Sequence, residues 1–476
     1  MRCLLVEDES DRIARILPEL NKIFGDGRVD VAKDRDSAMT VVQERAFDLV
    51  VLDQRIPSAP NQLDGDVIFG RAVLDYVRDI SPDTPVYFLT GLPMEEEYVD
   101  RLIEEGARSD VWGDRKPVAL IRRFQKVTMT PFYEAAAQIA ATARITDDIE
   151  INLKGADLAL SDEQIRLLRV FTRLHDGVCA DIVGLTPGFS GARVLRADIK
   201  DADGGIRLSV VSKLGRFDAI ASEIQRYEKE VVRLPADTYA TLIPGQVPRV
   251  LTSRGAFYRL LEGYNHSYFA VLKASDANAA ICVQAIREGQ APWANSAKAT
   301  KLPIAEVVKM LIWEKNLPPI RDMLGGIDWK SFEDREITIN LCTRHGDLHG
   351  ENALVNGQHR VMMIDYGAVD PLPSAIDAVT LEFSPFFHPH GVRGALNWKP
   401  GDGAIDWFDR TVFAALTSIP THVGACRDWA HGEGFGEREV LACAYTYILR
   451  QLQFPGADKD LALALLPGIV ARGLKA

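Results

Sequence analysis

Short apolar runs and longer amphipathic stretches alternate along the first 117 residues. The runs Cys3 to Val6, Arg28 to Ala32, Leu49 to Leu52 and Val86 to Leu89 have the length and composition of buried strands. Between and after them, Ser10 to Phe24, Asp36 to Arg45, Val67 to Ile80 and Glu95 to Glu105 return apolar residues every three or four positions, the mark of a helix with one buried face. Strand–helix alternation of this kind predicts an α/β doubly wound sheet of five parallel strands, the fifth placed near Ser109 to Lys116.

Residues 118–180 read as helical, over Val118 to Phe124, Pro131 to Arg144 and Asp162 to His175, with Ser161 and Gln164 forming a capping box before the last. The segment lacks the Gly, Ser and Pro density of a flexible tether, so a helical connector is expected. Its helices can transmit a shift between domains, pair with a second copy to form a homodimer, or serve as a passive spacer.

From residue 181 the pattern changes to α+β. Apparent strands flank the turn Leu185 to Leu195, and further strands fall at Leu208 to Lys213, Arg249 to Leu251 and Ala256 to Leu261. Helices follow at Pro303 to Glu314, Trp407 to Leu416, Arg438 to Leu452 and Lys459 to Arg472. A bilobal domain is expected over 181–476, with a strand-rich lobe at about 181–262 and a helical lobe at about 263–476. A chain of 476 residues is too long for one core, which agrees with this division into 1–117, 118–180 and 181–476.

Charge adds one contrast. Residues 1–117 hold 25 Asp and Glu against 15 Lys and Arg, so −10 of the net −12 belongs to them. Neither part carries the dense basic stripe of a DNA-binding module, and nucleic acid is not favoured as a partner. No apolar run approaches the ~18 residues of a membrane span, and the start turns acidic too early for a signal peptide. Six scattered cysteines without a CxxC pair suit free buried thiols in a reducing compartment, so a cytoplasmic location is expected.

In a doubly wound sheet the functional site lies at the carboxyl ends of the strands. Those ends carry Glu7 and Asp8, Asp53, Thr90 and, near the fifth strand, Lys116 before Pro117. The set resembles the receiver domain of two-component response regulators across residues 1–117. The resemblance implies that Glu7, Asp8 and Asp53 bind Mg2+ and that Asp53 is phosphorylated by a sensor histidine kinase. It implies equally that Lys116 pairs with the aspartyl phosphate and that Thr90 hydrogen-bonds it on switching. Two stretches depart from that pattern. The loop Ser58 to Asp64 is longer than usual beside Asp53 and is placed to cap or gate it. The aromatic switch residue is not securely placed, Trp112 being either that residue or a core tryptophan.

The second chemical signature is Arg344-His345-Gly346-Asp347-Leu348-His349-Gly350-Glu351-Asn352, followed by Ile364-Asp365-Tyr366-Gly367. Phosphoryl transfer from ATP needs a carboxylate to accept the hydroxyl proton and oxygen ligands for Mg2+. Asp347, Asn352 and Asp365 offer those roles in that order. Singly, each piece is an ordinary polar turn or strand end; the strand–turn–strand spacing between them makes the pair specific. The stretch resembles the aminoglycoside phosphotransferase and choline kinase branch of the protein-kinase-like fold.

That resemblance implies ATP and Mg2+ as cofactors. Gly188, Ser190 and Gly191 would approach the nucleotide phosphates, Lys213 would hold them, and Glu223 would steady Lys213. Glu262-Gly263-Tyr264 falls where a hinge meets adenine. His345 and Asp377 would support the catalytic loop structurally. His388-Pro389-His390 reads as a polar turn rather than a metal site. The expected function is a response regulator with an enzymatic output, its phosphoacceptor unknown. The alternatives are a nucleotide-binding pseudokinase-like scaffold and nucleotidyl transfer on the same fold.

Overall fold

Apolar runs that alternate with amphipathic helices become one parallel sheet in the computed structural model, which describes residues 1–91, 101, 103, 106–155, 158–185, 192–245 and 247–475. The chain divides into two units, Met1–Ala221 with Leu242–Arg259, and Ser222–Thr241 with Leu260–Ala476.

In the first unit, β1 (Cys3–Val6), β2 (Val29–Ala32), β3 (Leu49–Asp53), β4 (Val86–Thr90) and β5 (Ile121–Gln125) form a parallel sheet of order β2-β1-β3-β4-β5. Every residue of β1, β3 and β4 is buried, because both faces are covered. Alternate side chains go to opposite faces. Leu4, Val6, Val50 and Leu52 meet Val73, Leu74 and Val77 of α3 (Val67–Ile80), while Cys3, Leu5, Leu49 and Val51 meet Ile16, Leu20 and Phe24 of α1 (Ser10–Phe24). Helix α2 is Arg35–Glu44. The expected helix Glu95 to Glu105 lies outside the described residues apart from Arg101 and Ile103.

The fifth strand corrects the sequence reading. Residues 118–124 are extended: Val118–Ala119 pairs with Arg108–Ser109 in a small antiparallel ribbon, and Ile121–Gln125 runs parallel to β4. Apolar residues at 118, 121 and 124 mimic a helical face, and the intervening Arg122 is exposed, its guanidinium 4.8 Å from the Phe124 ring centroid and 5.4 Å from that of Tyr87. The parallel sheet therefore extends past residue 117.

The helices expected at 131–144 and 162–175 are present as α4 (Thr130–Asp147) and α5 (Asp162–Leu174), the latter with the Ser161–Gln164 capping box. They serve different sheets. Helix α4 packs Phe132, Ala136, Ile139 and Ala143 onto the parallel sheet. Helix α5 and the strand β6 (Glu150–Lys154) belong to a second sheet with β7 (Cys179–Gly184), β8 (Arg193–Lys200), β9 (Ile206–Arg216), β10 (Thr241–Leu242) and β11 (Ser253–Arg259), in the order β10-β11-β9-β8-β7-β6. Leu167, Leu168 and Phe171 of α5 pack with Ala180, Ile182, Leu195 and Ala197, and Phe171 stacks on Phe257 at 3.7 Å.

Polar contacts tie the two sheets together inside this unit. Buried Asp48 accepts from Trp112 Nε1 at 3.0 Å and pairs with Arg166 of α5. Arg249 donates its backbone N–H to Asp83 at 2.9 Å and its Nη1 to the Asp79 carbonyl at 3.0 Å. Trp112 is thus a core residue, 1% exposed.

In the second unit, β13 (Glu336–Arg344) lies between β12 (Lys298–Pro303) and β16 (Asp370–Pro373), and β14 (Ala353–Val355) with β15 (Val361–Met363) forms a hairpin. Helix α6 is Phe217–Lys229, and around these strands stand α7 (Asp276–Gly289), α8 (Ile376–Phe387), α9 (Pro420–Glu433), α10 (Glu437–Gln451) and α11 (Lys459–Lys475). Every residue of α8 is buried. Helix α9 had no clear signal in the sequence: its buried face mixes His422 and Arg427 with Val423, Cys426 and Trp429. All six cysteines are free thiols. No helix among the described residues is long and apolar enough to cross a membrane.

Candidate active sites

The first site gathers at the carboxyl ends of β1 and β3. Glu7, Asp8 and Asp53 each present a ligand oxygen, all within 4.8 Å of one another. An all-oxygen set at this spacing fits Mg2+. Glu7 and Asp53 are 1% and 6% exposed. Burial pushes the Glu7 carboxyl above its ordinary range and the neighbouring Asp53 adds to this, while Lys126 pulls the other way. Helix α3 presses against the strand end at Gly70, where a Cβ would stand 2.3 Å from the Gln54 carbonyl oxygen and 2.9 Å from that of Asp53.

The lysine of this site is Lys126, not Lys116. Lys116 is exposed, and its backbone N–H donates to Asp114. Lys126 follows β5 directly, and its ammonium lies 2.5 Å from Asp53 Oδ2 and 2.7 Å from Glu7 Oε2. The misplaced fifth strand explains the error: the Lys-Pro dipeptide drew the strand ten residues too early. Thr90 ends β4, 7% exposed, and its carbonyl accepts the Lys126 backbone N–H at 2.9 Å. Arg12 adds a second cation, 3.5 Å from Asp53 Oδ2. The loop Ser58 to Asp64 is closed on itself by Ser58, whose N–H and hydroxyl both donate to Asp64. Backbone bonds from Arg35 and Asp36 to Pro57 and Ser58 tie it to α2.

The second site is the loop after β13. Buried Asp377, in the first turn of α8, accepts the backbone N–H of His345 at 2.8 Å and of Gly346 at 2.9 Å. Gln290 donates to the same carboxylate at 3.0 Å and accepts from Arg344 at 2.9 Å, and Arg344 also pairs with Glu433. His345 Nε2 lies 3.0 Å from the Ile364 carbonyl oxygen. Gly346 has φ 76°, and a Cβ there would strike the Ala368 carbonyl oxygen at 2.4 Å, so the turn requires glycine.

From this anchored turn project Asp347 and Asn352. Asn352 donates its amide to the Asp347 carbonyl at 2.8 Å, and its own carbonyl accepts from Ile364 N–H at 3.0 Å, which ties the loop to the segment bearing Asp365. Asp365 holds φ 64°, an uncommon conformation for a residue with a Cβ. Asn352 and Asp365 supply side-chain oxygens of the kind Mg2+ takes. Tyr366 is fully buried, with its hydroxyl accepting from Ala240 N–H at 2.8 Å and donating to the Met363 carbonyl at 2.5 Å.

Sequence reasoning missed Arg450 of α10. Its Nη1 lies 3.2 Å from Asp347 Oδ1 and 3.5 Å from the Gly346 carbonyl oxygen. No linear signal marks an arginine a hundred residues from the loop it serves. Lys213, 5% exposed on β9, faces Val194 and Ala256 across the sheet. It belongs to the first unit, and Glu223, 1% exposed, to the second. Gly188, Ser190 and Gly191 lie outside the described residues. His388 and His390 form no metal cluster among the described residues.

No protein-family model matches the chain. No curated protein matches it either. Among solved structures it is similar to the receiver domain of NtrX from Brucella abortus, at 23% identity over 29% of this chain and 96% of that one, with a TM-score of 0.21. It is also similar to an aminoglycoside-3'-phosphotransferase of type VIII, at 16% identity over 57% and 93%, with a TM-score of 0.34. A thermostable mutant of aminoglycoside phosphotransferase APH(4)-Ia follows at 13% identity over 62% and 96%, with a TM-score of 0.37. Similarities of this degree carry nothing about what this chain does.

Proposed function

We propose that the chain is a response regulator whose output is enzymatic: phosphorylation of Asp53 controls an ATP- and Mg2+-dependent phosphotransferase acting on a hydroxyl of a small molecule or protein. The observation that carries this reading is the loop hung from Asp377, which holds Asp347 and Asn352 by backbone contacts while leaving the Asp347 carboxylate 32% exposed. An ordinary polar turn does not need a buried carboxylate to fix its backbone.

In this reading a sensor histidine kinase presents a phosphohistidine to the first site. An Asp53 oxygen attacks the phosphorus, the P–N bond breaks, and Lys126 pairs with the phosphoryl oxygens. Glu7, Asp8 and Asp53 would hold a Mg2+ ion, whose charge would offset their crowded negative charge. In the second unit the acceptor hydroxyl gives its proton to Asp347 as its oxygen bonds to the γ-phosphorus and the bond to ADP breaks. Asn352 and Asp365 would hold the Mg2+ that accompanies the nucleotide.

The test is ATP turnover by the purified full chain against candidate acceptors, with and without acetyl phosphate. Turnover that Asp347→Asn abolishes and Asp53→Asn uncouples from acetyl phosphate supports the reading. Nucleotide bound but never turned over returns a signalling scaffold, and label transferred from the α-phosphate returns nucleotidyl transfer.

A further inference from the structure

The surroundings of Asp347 are suited to an anion. Arg450 touches the carboxylate through Nη1, with its side chain 18% exposed. Its Nε and Nη2 make no hydrogen bond among the described residues. On the other side, Asp347 Oδ2 is 3.9 Å from His349 Nε2, and the His349 ring packs against His388 at 4.7 Å. Glu351 on the same loop accepts from the Ser267 hydroxyl at 3.0 Å and lies 3.9 Å from His390. Arg450 thus pairs with Asp347 through Nη1 and keeps Nε and Nη2 for a further acceptor.

We propose, on the basis of the phosphotransferase reading, that Arg450 is a specificity-determining residue and that the acceptor is a hydroxyl compound bearing a carboxylate or phosphate within a few bonds of the reacting hydroxyl. The planar guanidinium matches either anion through two parallel N–H bonds. Because Arg450 is seated on the proton-accepting carboxylate, gripping the anion also sets the hydroxyl's distance from Asp347. A cationic amine at the same place would meet a like charge, which selects against amino alcohols.

The experiment offers the full chain, with Mg2+ and γ-labelled ATP, three sets of acceptors that differ in charge on one scaffold: glycolate, ethylene glycol and ethanolamine; glycerol 3-phosphate, glycerol and 3-amino-1,2-propanediol; gluconate, glucose and glucosamine. In at least one set the anionic member is expected to exceed the neutral one in kcat/KM by about 10- to 100-fold, the range of a charge-assisted hydrogen bond. The first and third sets read carboxylate and the second reads phosphate. Arg450→Gln should erase the preference mainly through KM, and Arg450→Lys should keep part of it. Preference for a neutral or cationic member overturns the proposal, as does an anionic preference that survives Arg450→Gln, or transfer to no member of any set. Failure of the phosphotransferase reading itself looks different: ATP binds, and label reaches neither acceptor nor water, with Asp347→Asn indistinguishable from the unaltered chain.

Discussion

Replacing Lys126 by alanine removes the ammonium that lies 2.5 Å from Asp53 and 2.7 Å from Glu7, in a site where the three side chains are 11%, 7% and 1% exposed. Two carboxylates are then left facing each other with little water. Breaking a buried ion pair by deleting one partner costs about 3–5 kcal/mol. Two features of the site reduce that figure. Glu7 is already held above its ordinary range, so it takes up a proton readily once the lysine is gone, and Arg12 remains 3.5 Å from Asp53. About 2–3 kcal/mol is expected near neutral pH, a factor of about 30 to 150 in the local opening equilibrium.

Hydrogen exchange on peptides spanning Cys3–Val6 and Leu49–Asp53 measures that factor, and acetyl phosphate labelling of Asp53 reads the chemical consequence. Lowering the pH should restore protection in Lys126→Ala, because an acid whose folded-state pKa is raised destabilises the fold above that pKa and ceases to do so once protonated. Lys116→Ala, an exposed change, should shift stability by no more than about 0.5 kcal/mol and leave labelling intact. The assignment fails if Lys126→Ala keeps full protection and labelling, or if Lys116→Ala is the variant that loses them.

Asp377→Ala deprives two buried backbone N–H groups of their acceptor, each worth about 1–3 kcal/mol, so acceptor-dependent turnover should fall by at least about 100-fold in steady-state kinetics. Gly70→Ala forces a Cβ against the Gln54 and Asp53 carbonyl oxygens and should slow acetyl phosphate labelling while costing about 1–3 kcal/mol in urea unfolding. His422 is fully buried, bonded to the Tyr268 hydroxyl at 2.6 Å, and lowered from 6.5 to about 4. Because that folded value is depressed, the stability it confers is complete above pH 6.5 and is lost as pH falls towards about 4, by about 3 kcal/mol. Urea midpoints at pH 7 and pH 4.5 should differ less in His422→Gln than in the unaltered chain.

The parts of each site that are local in the chain are legible in the sequence. Glu7, Asp8 and Asp53 end strands whose apolar runs are unmistakable, and Asp347, Asn352 and Asp365 fall within nineteen residues of one another. Lys126 was not legible for the opposite reason. Its strand is an edge strand with an exposed and a half-buried arginine at its centre, so its apolar run is too short and too broken to read as a buried strand. The connector was misapportioned on similar grounds: α4 and α5 are helices as expected, but which sheet each covers depends on contacts such as Phe171 with Phe257, 86 positions apart.

Sequence by itself determined the parallel sheet, the change of pattern after residue 180 and the acidic and polar groups at the two sites, because periodicity and close spacing are properties of a short stretch of chain. Only the tertiary structure decided which lysine faces Asp53, that Asp377 suspends the loop of Asp347, and that Arg450 sits on that carboxylate. Each of those contacts joins residues separated by 30 to more than 100 positions, and such a contact is specified by how whole elements pack rather than by any pattern within them.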